Sequence, residues 1–187
     1  MATPVSICSA ALVKLGSRPI SSFTEGSDTA TMCASIYPDA LDALLRMSLW
    51  NFAIKRVELA AETAAPAWGY GYAHVLPNDF IRLIEVNNEL DYTVENGRIL
   101  CDSTPLNITY VYRNENTASY DSTFVELLIQ KMIAELAYPV TKSDSKAQSE
   151  FQKFALLART ARSIDAMEAP QPDFVDYPLI NSRFRSY

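Results

Sequence analysis

The feature that most constrains this chain is a change of hydrophobic period, from helical to alternating near residue 66 and back again near residue 118. On the N-terminal side Cys8, Ala11, Leu12 and Leu15 recur at helical spacing, and Ala30, Ala34, Tyr37, Leu41, Leu44 and Leu45 form a second stripe. On the C-terminal side Phe124, Leu127, Leu128, Met132, Ile133 and Leu136 share a face, as do Phe151, Phe154, Ala155, Ala158 and Ala161. Steps of three and four put such residues on one side of a helix, whereas alternation puts them on one face of a strand. The middle carries five short runs, Tyr70 to Leu76, Ile81 to Val86, Tyr92 to Val94, Arg98 to Cys101 and Leu106 to Arg113. Turn-forming residues separate them, at Pro77-Asn78-Asp79, Asn87-Asn88, Asn96-Gly97 and Asp102 to Pro105. Asn96-Gly97 predicts a tight hairpin, because a type I′ turn needs positive φ at both central positions.

Apolar helical stripes must cover one another, and an alternating stretch must cover one face of its own sheet. The expected class is therefore α+β: a bundle of about four helices, an inserted small antiparallel β domain and an extended C-terminal arm. The corresponding divisions are 1–65 for the first helices, 66–117 for the β insertion, 118–168 for the closing helices and 169–187 for the arm. Thr3, Pro4 and Gly16 predict a first helix from Pro4 to Leu15. A second begins near Ser27 or Asp28, and Pro38 inside it predicts a kink or a break. From Trp50 to Ala65 the period leaves a frayed helical end and an extended run equally open. Asp121 or Ser122 caps a third helix that Pro139 should terminate, and a fourth spans Ser145 to Ala166.

The composition narrows the chemistry. With 49% hydrophobic residues and 5 glycines in 187, the chain folds rather than remaining disordered or collagen-like. Cys8, Cys33 and Cys101 are far apart and His74 is the only histidine, so no clustered zinc ligands and no cofactor are expected. Unpaired cysteines fit synthesis in a reducing cytoplasm, and neither a signal peptide nor a membrane span is anticipated. The formal charge of -6 argues against tight wrapping of nucleic acid, which draws on Lys and Arg. Residues 66–117 hold three basic and seven acidic side chains, and so most of that excess. Such a surface is either a solvated sheet face or one that keeps a passing duplex from sticking.

No catalytic residue stands out. His74 is the sole imidazole base, in an alternating strand without a nucleophile motif beside it, and reads as a surface or half-buried strand histidine. The 22 carboxylates single out no pair, and the glycines form no phosphate-binding loop. Trp68-Gly69-Tyr70-Gly71-Tyr72 is a glycine-spaced aromatic loop. It is either a plain surface loop or a contact with another subunit, since exposed Trp and Tyr anchor interfaces. Pro170, Pro172 and Pro178 in the arm discourage helix and strand, and Phe174, Tyr177, Phe184 and Tyr187 supply apolar area there. The candidate contacts are thus Trp68, Tyr70, Tyr72, Phe174, Tyr177, Phe184 and Tyr187.

One order of words is more specific than any of these signals. Ala-Leu-Val-Lys-Leu-Gly-Ser-Arg-Pro-Ile at Ala11 to Ile20 is followed by Leu-Leu-Arg-Met-Ser-Leu-Trp-Asn-Phe-Ala at Leu44 to Ala53. Leu-Pro-Asn-Asp-Phe-Ile-Arg-Leu at Leu76 to Leu83, Ile-Thr-Tyr-Val-Tyr-Arg at Ile108 to Arg113 and Phe-Val-Glu-Leu-Leu-Ile-Gln-Lys at Phe124 to Lys131 follow. The pattern, over residues 5–166, resembles the tail tubular protein A family of short-tailed bacteriophages. The resemblance implies a virion tail protein, a head-to-tail adaptor whose copies form a ring, a dodecamer, between the portal protein and the tail nozzle protein. DNA would pass through it without sequence-specific binding, and no membrane would be engaged. Trp50 and Phe52 would then belong to the subunit core. Two alternatives remain: a virion-associated cell-wall hydrolase using paired carboxylates, and a small DNA-binding regulator using Lys142, Lys146, Lys153, Arg159 and Arg162.

Overall fold

A computed structural model describes residues 2–86 and 91–168, and the expected extended arm, 169–187, lies outside them. Four helices, α1 (Pro4–Lys14), α2 (Asp28–Met47), α3 (Ser122–Thr141) and α4 (Asp144–Glu168), enclose a β region in the chain order. Its strands are β1 (Ile54–Leu59), β2 (Tyr72–Val75), β3 (Phe80–Val86), β4 (Tyr92–Glu95), β5 (Arg98–Cys101) and β6 (Leu106–Tyr112). The fold is α+β, as the two periods require.

Helix starts follow local hydrogen-bond chemistry. Thr3 accepts from the Ser6 amide at 3.1 Å while Ser6 Oγ accepts from the Thr3 amide at 2.8 Å, a reciprocal cap that satisfies donors a first turn leaves orphaned. Ser27 and Asp121 cap α2 and α3 through Ala30 and Phe124. Neither proline breaks its helix at its own position. Helix α2 continues through Pro38 as one element of 20 residues, and α3 runs past Pro139 to Thr141, where Lys142 takes a left-handed φ of 56° and closes it. The carbonyls that lose their partner belong to Ala34 and Glu135, both on exposed residues, so water can take the place of the missing donor.

The segment left open by its period, Trp50 to Ala65, ends the helix with a single 3-10 turn and then becomes strand β1. The β region therefore begins at Ile54, ahead of residue 66. One small sheet was expected, and two form, each three-stranded and antiparallel, in the orders β1-β6-β3 and β2-β5-β4. The long β6 is shared by β1 and β3, while the hairpin β4-β5 takes β2 on its other side. Asn96 and Gly97 both have positive φ, 46° and 70°, the geometry their turn demands. Alternation sorts the faces. Ile99, Cys101 and His74 of one sheet and Leu59, Val86, Leu106, Ile108 and Tyr110 of the other turn inward, and the apolar ones form a core separate from that of the bundle.

The bundle core holds Trp50, Phe124, Leu44, Leu45, Leu127 and Leu128, with Val111 at the helical end of β6 joining it. Trp50 is fully buried, donates from Nε1 to the Leu44 carbonyl at 2.8 Å and meets Phe124 edge-on at 5.0 Å. Helices α3 and α4, joined by two residues alone, lie antiparallel, with Ala134 beside Ala147 and Phe151 and Lys131 farther back over the Phe154 ring. Phe154, Ala158 and Ala161 of the predicted α4 stripe are buried, but Phe151 is 58% exposed. Glu150, one position earlier, takes the inward place at that turn.

Glu150 is the buried charge that this contact tolerates. Its carboxylate accepts from Lys153 Nζ at 2.9 Å, Lys146 Nζ at 3.1 Å and Gln130 Nε2 at 3.0 Å. Lys153, then Gln130 and Lys146, hold its pKa down to about 2 against the opposing cost of burial. A folded-state value below the unfolded one gives stability that is complete above about pH 4.5 and lost as pH falls toward about 2. Glu150→Gln should cost about 1 to 3 kcal/mol at pH 7, less than the shift alone implies because both lysines are half exposed, and that difference should vanish near pH 2. Urea titrations of both proteins at pH 7 and pH 2.5 read this directly.

Candidate interaction surface

Residues 62–71 cross the outer face of the β2-β5-β4 sheet as a tethered loop. At one end the Glu62 amide donates to the Ala73 carbonyl at 2.7 Å, and the Glu62 carboxylate takes a forked contact from Arg98, 2.6 Å to Nε and 3.3 Å to Nη2. At the other, the Tyr70 hydroxyl lies 3.0 Å from Thr93 Oγ1 and the Gly71 amide donates to Asp102 Oδ1 at 2.7 Å. Gly69, with φ of 90°, makes the bend between these tethers that a side chain would strain. Trp68 stands at the apex, 87% exposed. Beside it lies a recess of about 780 Å³ lined by Pro66, Trp68, Tyr70, Ala73, Thr93 and Leu100 among others.

This arrangement brings two of the candidate contacts together and separates the third. Trp68 and Tyr70 line the same recess. Tyr72 begins β2 opposite Cys101, one residue out of phase with Ala73, so it faces the other side of the sheet and is 39% exposed at the edge. Phe174, Tyr177, Phe184 and Tyr187 lie outside the described residues.

His74 is buried between the sheets rather than on the surface. Its Nδ1 is 3.8 Å from Cys101 Sγ, which donates to the Ser103 carbonyl at 3.3 Å, and its Nε2 has no partner among the described residues. Burial lowers its pKa from the ordinary 6.5, with a backbone contact at Ile99 opposing. The folded state therefore resists protonation, and stability present above pH 6.5 is lost as pH falls below it. Wild type should lose more stability than His74→Phe between pH 7.5 and 5.5 in paired urea titrations, and equal losses would mean that the imidazole titrates freely. Among the described residues no group of three or more His, Cys, Asp or Glu is placed to hold a metal ion, and the three cysteines are free and buried. No helix among them is long and apolar enough to cross a membrane.

A second exposed feature escaped the sequence reading. Strand β4 is a sheet edge, exposed along its whole length, with Tyr92 42% and Val94 45% exposed. Edge strands carry unpaired backbone groups, and among the described residues the carboxylates of Asp91 and Glu95 flank them. The signal was its brevity, Tyr92-Thr93-Val94 against a turn, a length at which edge and central strands read alike. No protein-family model matches this chain, and no curated protein sequence matches it.

Proposed function

We propose that this chain is a structural ring subunit, a head-to-tail adaptor of a short-tailed bacteriophage tail that joins a portal protein to a tail nozzle protein and lets DNA pass. The observation that carries the reading is Trp68, a large aromatic presented on a tethered loop beside a recess, outside both cores. An indole presented to water on a loop that several hydrogen bonds tether gives the monomer little, but it is pre-organised to anchor a partner. A contact of this kind on one side of a subunit, met by a different surface of the next, builds a closed ring. The order of motifs from Ala11 to Lys131 supports the same reading.

One feature weighs against the DNA-binding regulator: Lys146 and Lys153, two of the five basic residues such a surface would use, are occupied by Glu150. Electron microscopy of the protein mixed with portal assemblies tests the proposal: rings stacked on portals are expected. Sequence-independent DNA retention without portal binding would favour the regulator instead.

A further inference from the structure

A ring contact needs a receiving surface as well as an anchor, and the helical bundle carries one that fits. Between the start of α1, the middle of α2 and the connector leading from β6 to α3 lies a recess of about 240 Å³. Pro4, Phe23, Pro38 and Leu41 form its apolar walls, and Tyr37 and Asp42 bring polar groups to it. Tyr37 is only 7% exposed, yet its hydroxyl has no hydrogen-bond partner among the described residues. Asp42 accepts from Arg113 through Oδ2, while its Oδ1 is likewise buried without a partner. Unsatisfied buried polar atoms are costly, so two of them in one concavity point to a donor that the described residues of a single subunit do not supply.

Trp68 is the matching group. It is the most exposed large apolar side chain among the described residues, at 87%, and its Nε1 donates to none of them. An indole is a flat apolar body with one N–H at its edge, so it needs apolar walls and a buried acceptor between them. The recess has both. Its volume of about 240 Å³ falls below the range of drug-sized ligand pockets, roughly 300 to 1,000 Å³, and suits one large side chain. Asp42, Glu115 and Asp39 all act on the single Arg113 guanidinium, so an anionic ligand is repelled whereas the N–H edge of an aromatic ring is attracted.

We propose that Trp68 of one copy inserts into the Tyr37 and Asp42 recess of the next, an inference that rests on the ring-subunit reading and names the two faces the ring joins. The anchor stands on the β2-β5-β4 sheet and the recess lies in the bundle, so the two faces differ. Each copy then gives an indole to one neighbour and receives one from the other, a heterologous contact of the kind that closes into a ring. The plane lies against Phe23 and Pro38, the N–H points to Tyr37 Oη or Asp42 Oδ1, and Arg113 brings a cation to the ring. The tethers at Glu62 and Gly71 hold the loop before contact, so little ordering opposes insertion. One insertion covers an indole otherwise left in water and carries a donor to oxygens that lack one.

The test uses the full-length chain, free and assembled on portals. Hydroxyl-radical footprinting read by mass spectrometry should show Trp68 oxidised in the free subunit and protected several-fold on assembly, with buried Trp50 protected in both. Tyr37→Phe should leave the melting temperature of the subunit unchanged or higher, because the hydroxyl has no partner there, yet weaken assembly roughly fivefold. Pro38→Phe, which enlarges an exposed wall of the recess, should weaken assembly as much as Trp68→Ala does. Once Trp68 is alanine, Tyr37→Phe should cost nothing further, the coupling expected of groups in contact. Assemblies in which Trp68 stays oxidisable, or in which the two substitutions act additively, would overturn the proposal and leave the ring itself standing. Assembly lost in Asp42→Asn but intact in Trp68→Ala would also overturn it, because a different donor, such as a basic side chain, would then fill the recess. A chain that never assembles, at any concentration and with or without portal, would overturn the ring reading and the proposal together.

Discussion

Trp50→Ala should lower the melting temperature of the isolated subunit by on the order of 10 °C, the largest stability effect of any single substitution in this fold. The indole is fully buried at the junction of bundle and sheet, stacks on Phe52 at 6.3 Å and meets Phe124 edge-on at 5.0 Å. Phe52 in turn lies 4.8 Å from Phe124 and 5.2 Å from Tyr120, so the indole is one of four aromatic side chains packed together. Truncating a large buried aromatic costs about 3 to 5 kcal/mol through lost transfer energy and the cavity left behind. Each kcal/mol moves the midpoint by roughly 2 to 4 °C in a domain of this length. The hydrogen bond from Nε1 to the Leu44 carbonyl adds a term that phenylalanine cannot replace. Trp50→Phe should therefore fall between wild type and alanine in a calorimetric series, and a phenylalanine variant as stable as wild type would remove the hydrogen bond from the account.

Trp68→Ala should have the opposite profile, a small change in stability and a large loss of assembly. An indole 87% exposed has little to lose when the chain is folded alone, so the melting temperature should stay within about 1 °C of wild type. Interface anchors of this type cost about 2 kcal/mol or more when truncated, roughly thirtyfold in association at each contact. A closed ring repeats the contact at every subunit, so the concentration needed for half-assembly on portals should rise at least that much. Light scattering of portal mixtures measures it. Assembly equal to wild type would show that the loop is a plain surface feature.

How far the sequence exposed this structure depended on the range over which each signal acts. Thr3, Ser27 and Asp121 cap their helices, and Asn96-Gly97 makes its turn, because each acts within a few residues. Pro139 does not stop α3 and Pro38 does not break α2, because exposed carbonyls one turn earlier can bond water while burial along the rest of each helix holds it together. The division into two sheets was not legible, since β6 pairs β1 across more than forty residues of chain and β3 across more than twenty. The aromatic loop was visible as Trp68 and Tyr70, yet Tyr72 left it because the strand begins at that residue and turns it to the face opposite Ala73. The recess at Tyr37 had no sequence signal at all, for Asp42 and Arg113 meet across 71 positions.

Native mass spectrometry of the purified chain across a range of concentrations, alone and with portal protein, tests the ring assignment most directly. Monomer should dominate when the chain is dilute, because each heterologous contact is small and gains its stability only on closure. High concentration or a portal template should yield one closed stoichiometry, with open intermediates scarce. A stable two-fold dimer at all concentrations, unaffected by portal and by Trp68→Ala, would contradict the account, since a contact that uses the same face on both partners cannot propagate into a ring.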